Sequence, residues 1–93
     1  MNNWFVYILK GKNGYYYKGL TNNINKRLHQ HELGQNNTTR QMRPLILIYV
    51  EICSTRQEAR NIEKYFKTGS GRDLIRNELD LNSRGGEMVY ALA

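Results

Sequence analysis

The chain has 93 residues, enough for one hydrophobic core and too few for two, so a single domain over 1–93 is expected. Fourteen Lys and Arg against eight Asp and Glu give a formal charge of +6 beside 40% hydrophobic residues, which excludes a disordered chain and favours a polyanionic partner, nucleic acid first. A lone cysteine, Cys53, excludes an internal disulfide and fits a reducing, cytoplasmic setting. No apolar run approaches the ~20 residues of a membrane span, and the start has no signal-peptide pattern.

Residues 4–9 are apolar throughout and rich in strand formers, which predicts a strand buried on both faces. The cluster Lys10-Gly11-Lys12-Asn13-Gly14 is a turn, and residues 15–20 form the second strand of a hairpin. Thr21-Asn22-Asn23 offers caps for a helix running to about Leu33 and stopping at Gly34. Residues 35–43 are polar and aperiodic and predict a mobile surface loop. Pro44 opens a third strand, Leu45 to Ile52, with Cys53 at its end as a small core residue. Ser54 and Gln57 have capping-box spacing before a second helix to about Lys67. Ser70-Gly71-Arg72-Asp73 repeats that logic for a third helix over about 71–82, broken at Arg84-Gly85-Gly86. Residues 83–93 give no assignment. This order predicts an α/β (α+β) domain with its core at about 4–82. The first strand lies central in a small sheet covered by helices.

Several polar residues fall on predicted inner faces. At ~100° per residue, with Ile24 at zero, Leu28 lies near about +40°, His31 near about −20° and Arg27 near about −60°. A buried Arg and His need partners, or they reach from the stripe edge to water. On the second helix Glu63 lies about 40° from Ala59, inside the stripe marked by Ile62 and Phe66. Such a carboxylate is ion-paired, with Arg27, Arg60 or Lys67, or protonated, or bound to a hard divalent cation. In a hairpin closing on Lys10–Gly14, facing residues have numbers summing to about 24, which puts Tyr7 opposite Tyr17 on one face. The pair either packs the hairpin or forms part of a site. Gly19 continues that face and allows close approach of a backbone or substrate. Two phenols, a guanidinium, an imidazole and a carboxylate suit phosphodiester cleavage, provided the phenol's usual pKa near ~10 is overcome.

Phe5-Val6-Tyr7, Tyr17-Lys18-Gly19, Arg27, His31 and Glu63, in this order and spacing, resemble the GIY-YIG nuclease family. The likeness is to small stand-alone members related to the N-terminal nuclease domain of the excinuclease, and it covers about residues 4 to 79. Lys18 stands where the middle Ile of the second motif is usual. The stretch Lys67 to Arg72 looks like one typical of those members, and Asn77 matches the asparagine that often follows the glutamate helix. The resemblance implies a three-stranded antiparallel sheet flanked by helices. It implies a metal-dependent endonuclease with one divalent ion, Mg²⁺ or Mn²⁺, held by Glu63. It further implies Tyr7, Tyr17, Arg27, His31 and Asn77 as catalytic residues. One tyrosine is the general base, Tyr17 contacting the water and Tyr7 supporting it. Lys18, Lys26, Arg40, Arg43 and Lys67 are expected backbone contacts to double-stranded or branched DNA. No additional DNA-binding domain fits in the chain, so action of low specificity, or a partner protein or homodimer, is expected. One site should nick one strand. A non-catalytic nucleic-acid-binding module of the same fold is the alternative.

Overall fold

Strand β1 (Trp4–Lys10) owes its place to its side chains: Val6, Tyr7, Ile8 and Leu9 are all buried, which requires cover on both faces. In the computed structural model, which describes residues 3–83 and 91–92, β1 pairs antiparallel with β2 (Tyr16–Thr21) on one edge and β3 (Leu45–Cys53) on the other. A two-residue strand, β4 (Ala91–Leu92), lies outside β3, giving the order β2-β1-β3-β4. The architecture is therefore α+β, three main antiparallel strands flanked by helices, with the first strand in the interior of the sheet as expected. An extra residue in β3 makes a bulge, since Ile8 faces Tyr49 but Leu9 faces Leu47.

Period-two alternation sorts the core into two layers. Val6 and Ile8 pack with Ile48 and Cys53, under Ala59 and Phe66 of helix α3 (Arg56–Phe66) and Ile75 beyond it. Tyr7 and Leu9 point the other way, against Met42, Leu45, Leu47 and Leu28 of helix α1 (Ile24–Glu32). The Cys53 thiol is buried and unpaired, the core role expected of it.

Asn23 caps α1 by accepting from the Lys26 amide at 3.1 Å, and Gly34 follows its end with φ +79°. The segment 35–43 is more ordered than its polarity predicts. Asn36 accepts the Thr39 amide at 3.0 Å and starts a one-turn helix, α2 (Asn37–Arg40). The capping box before α3 uses Thr55 and Glu58, one residue later than the pair expected. Glu58 accepts the Ser54 and Thr55 amides while Thr55 accepts that of Glu58. The third helix also begins earlier than expected. Thr68 caps α4 (Gly69–Leu74), which runs through a π-helical stretch, Ile75–Leu79, into α5 (Asp80–Ser83). The expected break at Arg84-Gly85-Gly86 lies outside the described residues. Among the described residues no helix is long and apolar enough to cross a membrane.

The hairpin register differs from expectation. Tyr7 faces Gly19 and Leu9 faces Tyr17, so facing numbers sum to 26. Gly14 takes φ +84° and its amide bonds back to Gly11 at 3.0 Å, while the Gly11 amide reaches the Tyr15 carbonyl at 2.9 Å. The turn therefore centres one residue later, and each partner moves by two. A shift of two preserves the face, so Tyr7 and Tyr17 remain neighbours, diagonal instead of opposite.

Candidate active site

Gly19 is where the site begins. A Cβ built there would lie 2.5 Å from the Tyr7 hydroxyl and 2.6 Å from its Cζ. The Tyr7 ring therefore lies across β2, over a residue that must lack a side chain. The close approach expected at Gly19 exists, and the group that makes it is Tyr7. From there the ring centroid of Tyr7 is 6.3 Å from that of Tyr17 and 5.6 Å from that of His31. Tyr17 and His31 meet edge-on at 5.2 Å, closing a three-ring cluster.

His31 is fully buried, on the inward stripe of α1. Both of its ring nitrogens are bonded: Nε2 lies 2.8 Å from the Tyr7 hydroxyl and Nδ1 2.7 Å from Oγ1 of Thr39. Burial, with the nearby Arg27 guanidinium, pushes its pKa down to about 4, so the ring is neutral at physiological pH. A neutral imidazole has one donor and one acceptor. If Nδ1–H donates to Thr39, Nε2 accepts the Tyr7 proton. Burial, then the neighbouring Tyr17, pushes the Tyr7 phenol well above its usual value, only partly offset by Arg27. Thr39 is itself fully buried, on α2. Asn36, the cap of that helix, also sends its Nδ2 toward the Tyr17 hydroxyl at 3.5 Å. Neither Asn36 nor Thr39 was expected in the site. The cap spacing Asn36-x-x-Thr39 is the one sequence feature that marks the segment as ordered.

Arg27 is half-buried and lines shallow depressions on both sides, one with Thr21, Asn23 and Lys26, the other with His31 and Asn36. Among the described residues its guanidinium forms no ion pair or hydrogen bond, so its donors face the depressions unused. Glu63 is half-buried on α3, and its field reaches Tyr7. Of the three ion-pair partners expected for it, the one found is Lys67, at 3.6 Å on a largely exposed side chain. That contact is too long for a hydrogen bond and leaves the carboxylate oxygens available. No group of three or more His, Cys, Asp or Glu that could hold a metal occurs among the described residues. One open carboxylate fits a hard divalent ion that takes its other ligands from water and phosphate, and does not fit a closed metal site.

The remaining expected residues divide. Lys26 and Arg40 are exposed, Arg40 bonding Asn37 at 2.6 Å. Lys18 is half-buried on the face away from the tyrosines. Arg43 donates to the carbonyls of Arg40 and Glu32, both at 3.1 Å, and so closes the ends of α2 and α1. Its guanidinium is engaged in the fold. Asn77 lies exposed in the π-helical stretch, with no side-chain hydrogen bond to the ring cluster.

Residues 3–76 match the GIY-YIG catalytic domain, and the chain belongs to the GIY-YIG family. Among its relatives is the UPF0213 protein YazA of Bacillus subtilis, 42% identical over 67 residues that make up 71% of this chain and 68% of YazA. A UPF0213 protein of Staphylococcus aureus is 35% identical over 77 residues, 82% of this chain and 94% of that one. The solution NMR structure of a UPF0213 protein from Bacillus halodurans is similar in fold, with a TM-score of 0.52 and 27% identity, over 81% of this chain and 83% of that one.

Proposed function

We propose that this protein is a metal-dependent endonuclease that hydrolyses phosphodiester bonds in DNA. The observation that carries the reading is a phenol bonded to a neutral, buried imidazole, Tyr7 to His31 at 2.8 Å, beside an arginine whose donors are unused. A structural tyrosine pair needs neither of those neighbours.

The chemistry requires a water in line with the scissile bond, an acceptor for its proton and stabilisation of charge on the phosphoryl group. Tyr17, half-buried and the more accessible phenol, orients the water. Tyr7 takes the water's proton as it passes its own to Nε2 of His31. The water oxygen bonds to phosphorus, the P–O bond to the 3′ oxygen breaks, and the leaving oxygen takes a proton from solvent. His31 then passes its proton back to Tyr7 as Tyr7 releases one to solvent, which restores both groups. With Nδ1–H donating to Thr39, the neutral imidazole leaves its Nε2 lone pair for the phenol's proton, and burial keeps the phenol protonated until that transfer. Arg27 holds two non-bridging oxygens of the phosphate through its fork. Glu63 would hold the divalent ion, Mg²⁺ or Mn²⁺, which supplies charge neutralisation at the phosphate.

The test is nicking of supercoiled plasmid with Mg²⁺, comparing the parent with Glu63→Gln and Tyr7→Phe. Loss of at least a hundredfold in each variant is expected. Equal residual nicking in all three would remove both residues from the mechanism. Salt-sensitive DNA binding without turnover in the parent would establish the non-catalytic module instead.

A further inference from the structure

Alternation along β2 sends Tyr17 to one face of the sheet and Lys18 to the other. On that second face the hairpin and the α4–π helix enclose a cleft of about 710 Å³, lined by Tyr15, Tyr16, Lys18, Arg72 and Arg76. Lys18 is half-buried there, and among the described residues it has no carboxylate partner. The charges that act on it are cations. Burial, then Arg72, then Lys67, lowers its pKa. Arg72 likewise has no ion pair among the described residues, whereas Arg76 is bonded to Asp73 at 2.7 Å. Two unneutralised cations held near a third, one of them partly removed from water, cost stability unless an anion arrives.

We propose that this cleft is a second phosphate-binding site, with Lys18 and Arg72 as its ligands, and that its occupant is a stretch of nucleic-acid backbone next to the one being cut. The inference rests on the nucleic-acid reading above and extends it to a second face. The sheet order supplies the continuity. β2 is an edge strand with Tyr17 on one side and Lys18 on the other, and α3 carries Glu63 and Lys67 in an (i, i+4) pair. A strand that crosses the β2 edge meets Arg27 and Tyr17 first and Lys18 and Arg72 next. The protein then grips its substrate on both sides of the edge, which selects backbones able to bend around it.

The experiment is fluorescence anisotropy of a labelled 20-base-pair duplex in EDTA, at several salt concentrations. It compares the parent with Lys18→Ile, Arg72→Ala, the double variant and the charge-matched control Lys64→Ala, on the outer side of α3. Thermal melts confirm that each folds. Expected is a weakening of about fivefold or more per cleft substitution. The slope of log K against log[salt] should become shallower by about 0.9 for each lost contact, so nearly ~2 in the double variant. Lys64→Ala should move neither quantity. An unchanged slope in the double variant, or an equal effect of Lys64→Ala, overturns the proposal. A parallel titration with AMP distinguishes the sources of phosphate. Saturable binding of the mononucleotide that abolishes duplex binding at Lys18 and Arg72 would make the cleft a nucleotide pocket and overturn the backbone assignment. The binding arms need no metal or turnover. A parent that binds through the cleft but does not nick would therefore remove the nuclease reading alone. A parent that nicks while the double variant keeps the parental slope would remove the cleft alone.

Discussion

The hydroxyl of Tyr7 and Nε2 of His31 are 2.8 Å apart although the residues lie 24 positions apart in the chain, and both are buried. Burial, and after it the nearby Arg27 guanidinium, keeps His31 a neutral ring in this position. Its folded pKa of about 4 lies below the ordinary value of 6.5. The unfolded chain therefore binds its proton first as pH falls. Stability is full above about pH 6.5, declines through the window below it, and has lost roughly 3 kcal/mol by the time pH passes the folded value. Urea melts from pH 7.5 to pH 4 should show this decline, and His31→Gln should flatten it. A decline of the same size in the variant would assign the loss to other groups. Activity per folded molecule should show no inflection near pH 6.5.

Thr39 is predicted to act through His31. In Thr39→Val the shape is retained but Nδ1 loses its partner, a buried polar group left unpaired at a cost of about 1–3 kcal/mol. The imidazole is then free to take the other tautomer, which donates to Tyr7 and cannot accept from it. Cleavage should fall by about 10- to 100-fold, with the substrate KM little changed. Thr39→Ser should recover most of the rate. Nitrogen-15 NMR of His31 should report the tautomer in each protein. Equal rates for Val and Ser would leave Thr39 a packing residue.

Gly19→Ala should be costly for a residue on an edge strand. The added methyl would sit 2.5 Å from the Tyr7 hydroxyl, and the ring has to move. Overpacking of this kind costs about 1–3 kcal/mol, and the moved ring loses His31. Thermal melting should show the destabilisation. Adding Tyr7→Leu should restore part of the stability and none of the activity. Additive losses in the double variant would mean that the two residues do not collide.

Lys67 should matter little for folding. Its pair with Glu63 spans 3.6 Å on a mostly exposed side chain, and such pairs contribute about 0–1 kcal/mol. Lys67→Ala should keep the melting temperature and bind Mn²⁺ more tightly, since a competing cation has gone. Glu63→Gln should bind it at least tenfold more weakly by titration calorimetry. Weaker Mn²⁺ binding in Lys67→Ala would contradict an open carboxylate.

The elements visible in the sequence are those with a single strong signal. The continuous apolar run of β1 announces a strand covered on both faces, and Gly34 announces the end of α1. Tyr7, Tyr17, Arg27 and Glu63 are recognisable through order and spacing. The errors have local physical causes. Turn centring depends on which glycine adopts positive φ, and choosing between Gly11 and Gly14 shifts the register. Ser54-Thr55 offers two caps in a row, and the glutamate at 58 decides between them. Thr39 lies in a segment without periodicity, so nothing marks it as the partner of a histidine eight residues earlier. Arg43 carries a charge that fits a nucleic-acid contact equally well, and only the positions of the helix ends show it bonded to carbonyls.

Asp80 adds a consequence at the other end of the hairpin. One of its carboxylate oxygens receives Lys10 Nζ at 2.9 Å and the Tyr16 hydroxyl at 2.6 Å, from residues that face each other across the β1–β2 ladder. In the alignment slipped by two, Lys10 would face Gly14 and Tyr16 would face Ile8, and the two donors would no longer stand opposite each other before the carboxylate. A residue 64 positions beyond Tyr16 therefore acts as a proofreader of strand alignment. It favours the pairing that sets Gly19 beneath Tyr7, so the last helical segment and the ring cluster depend on one and the same strand alignment.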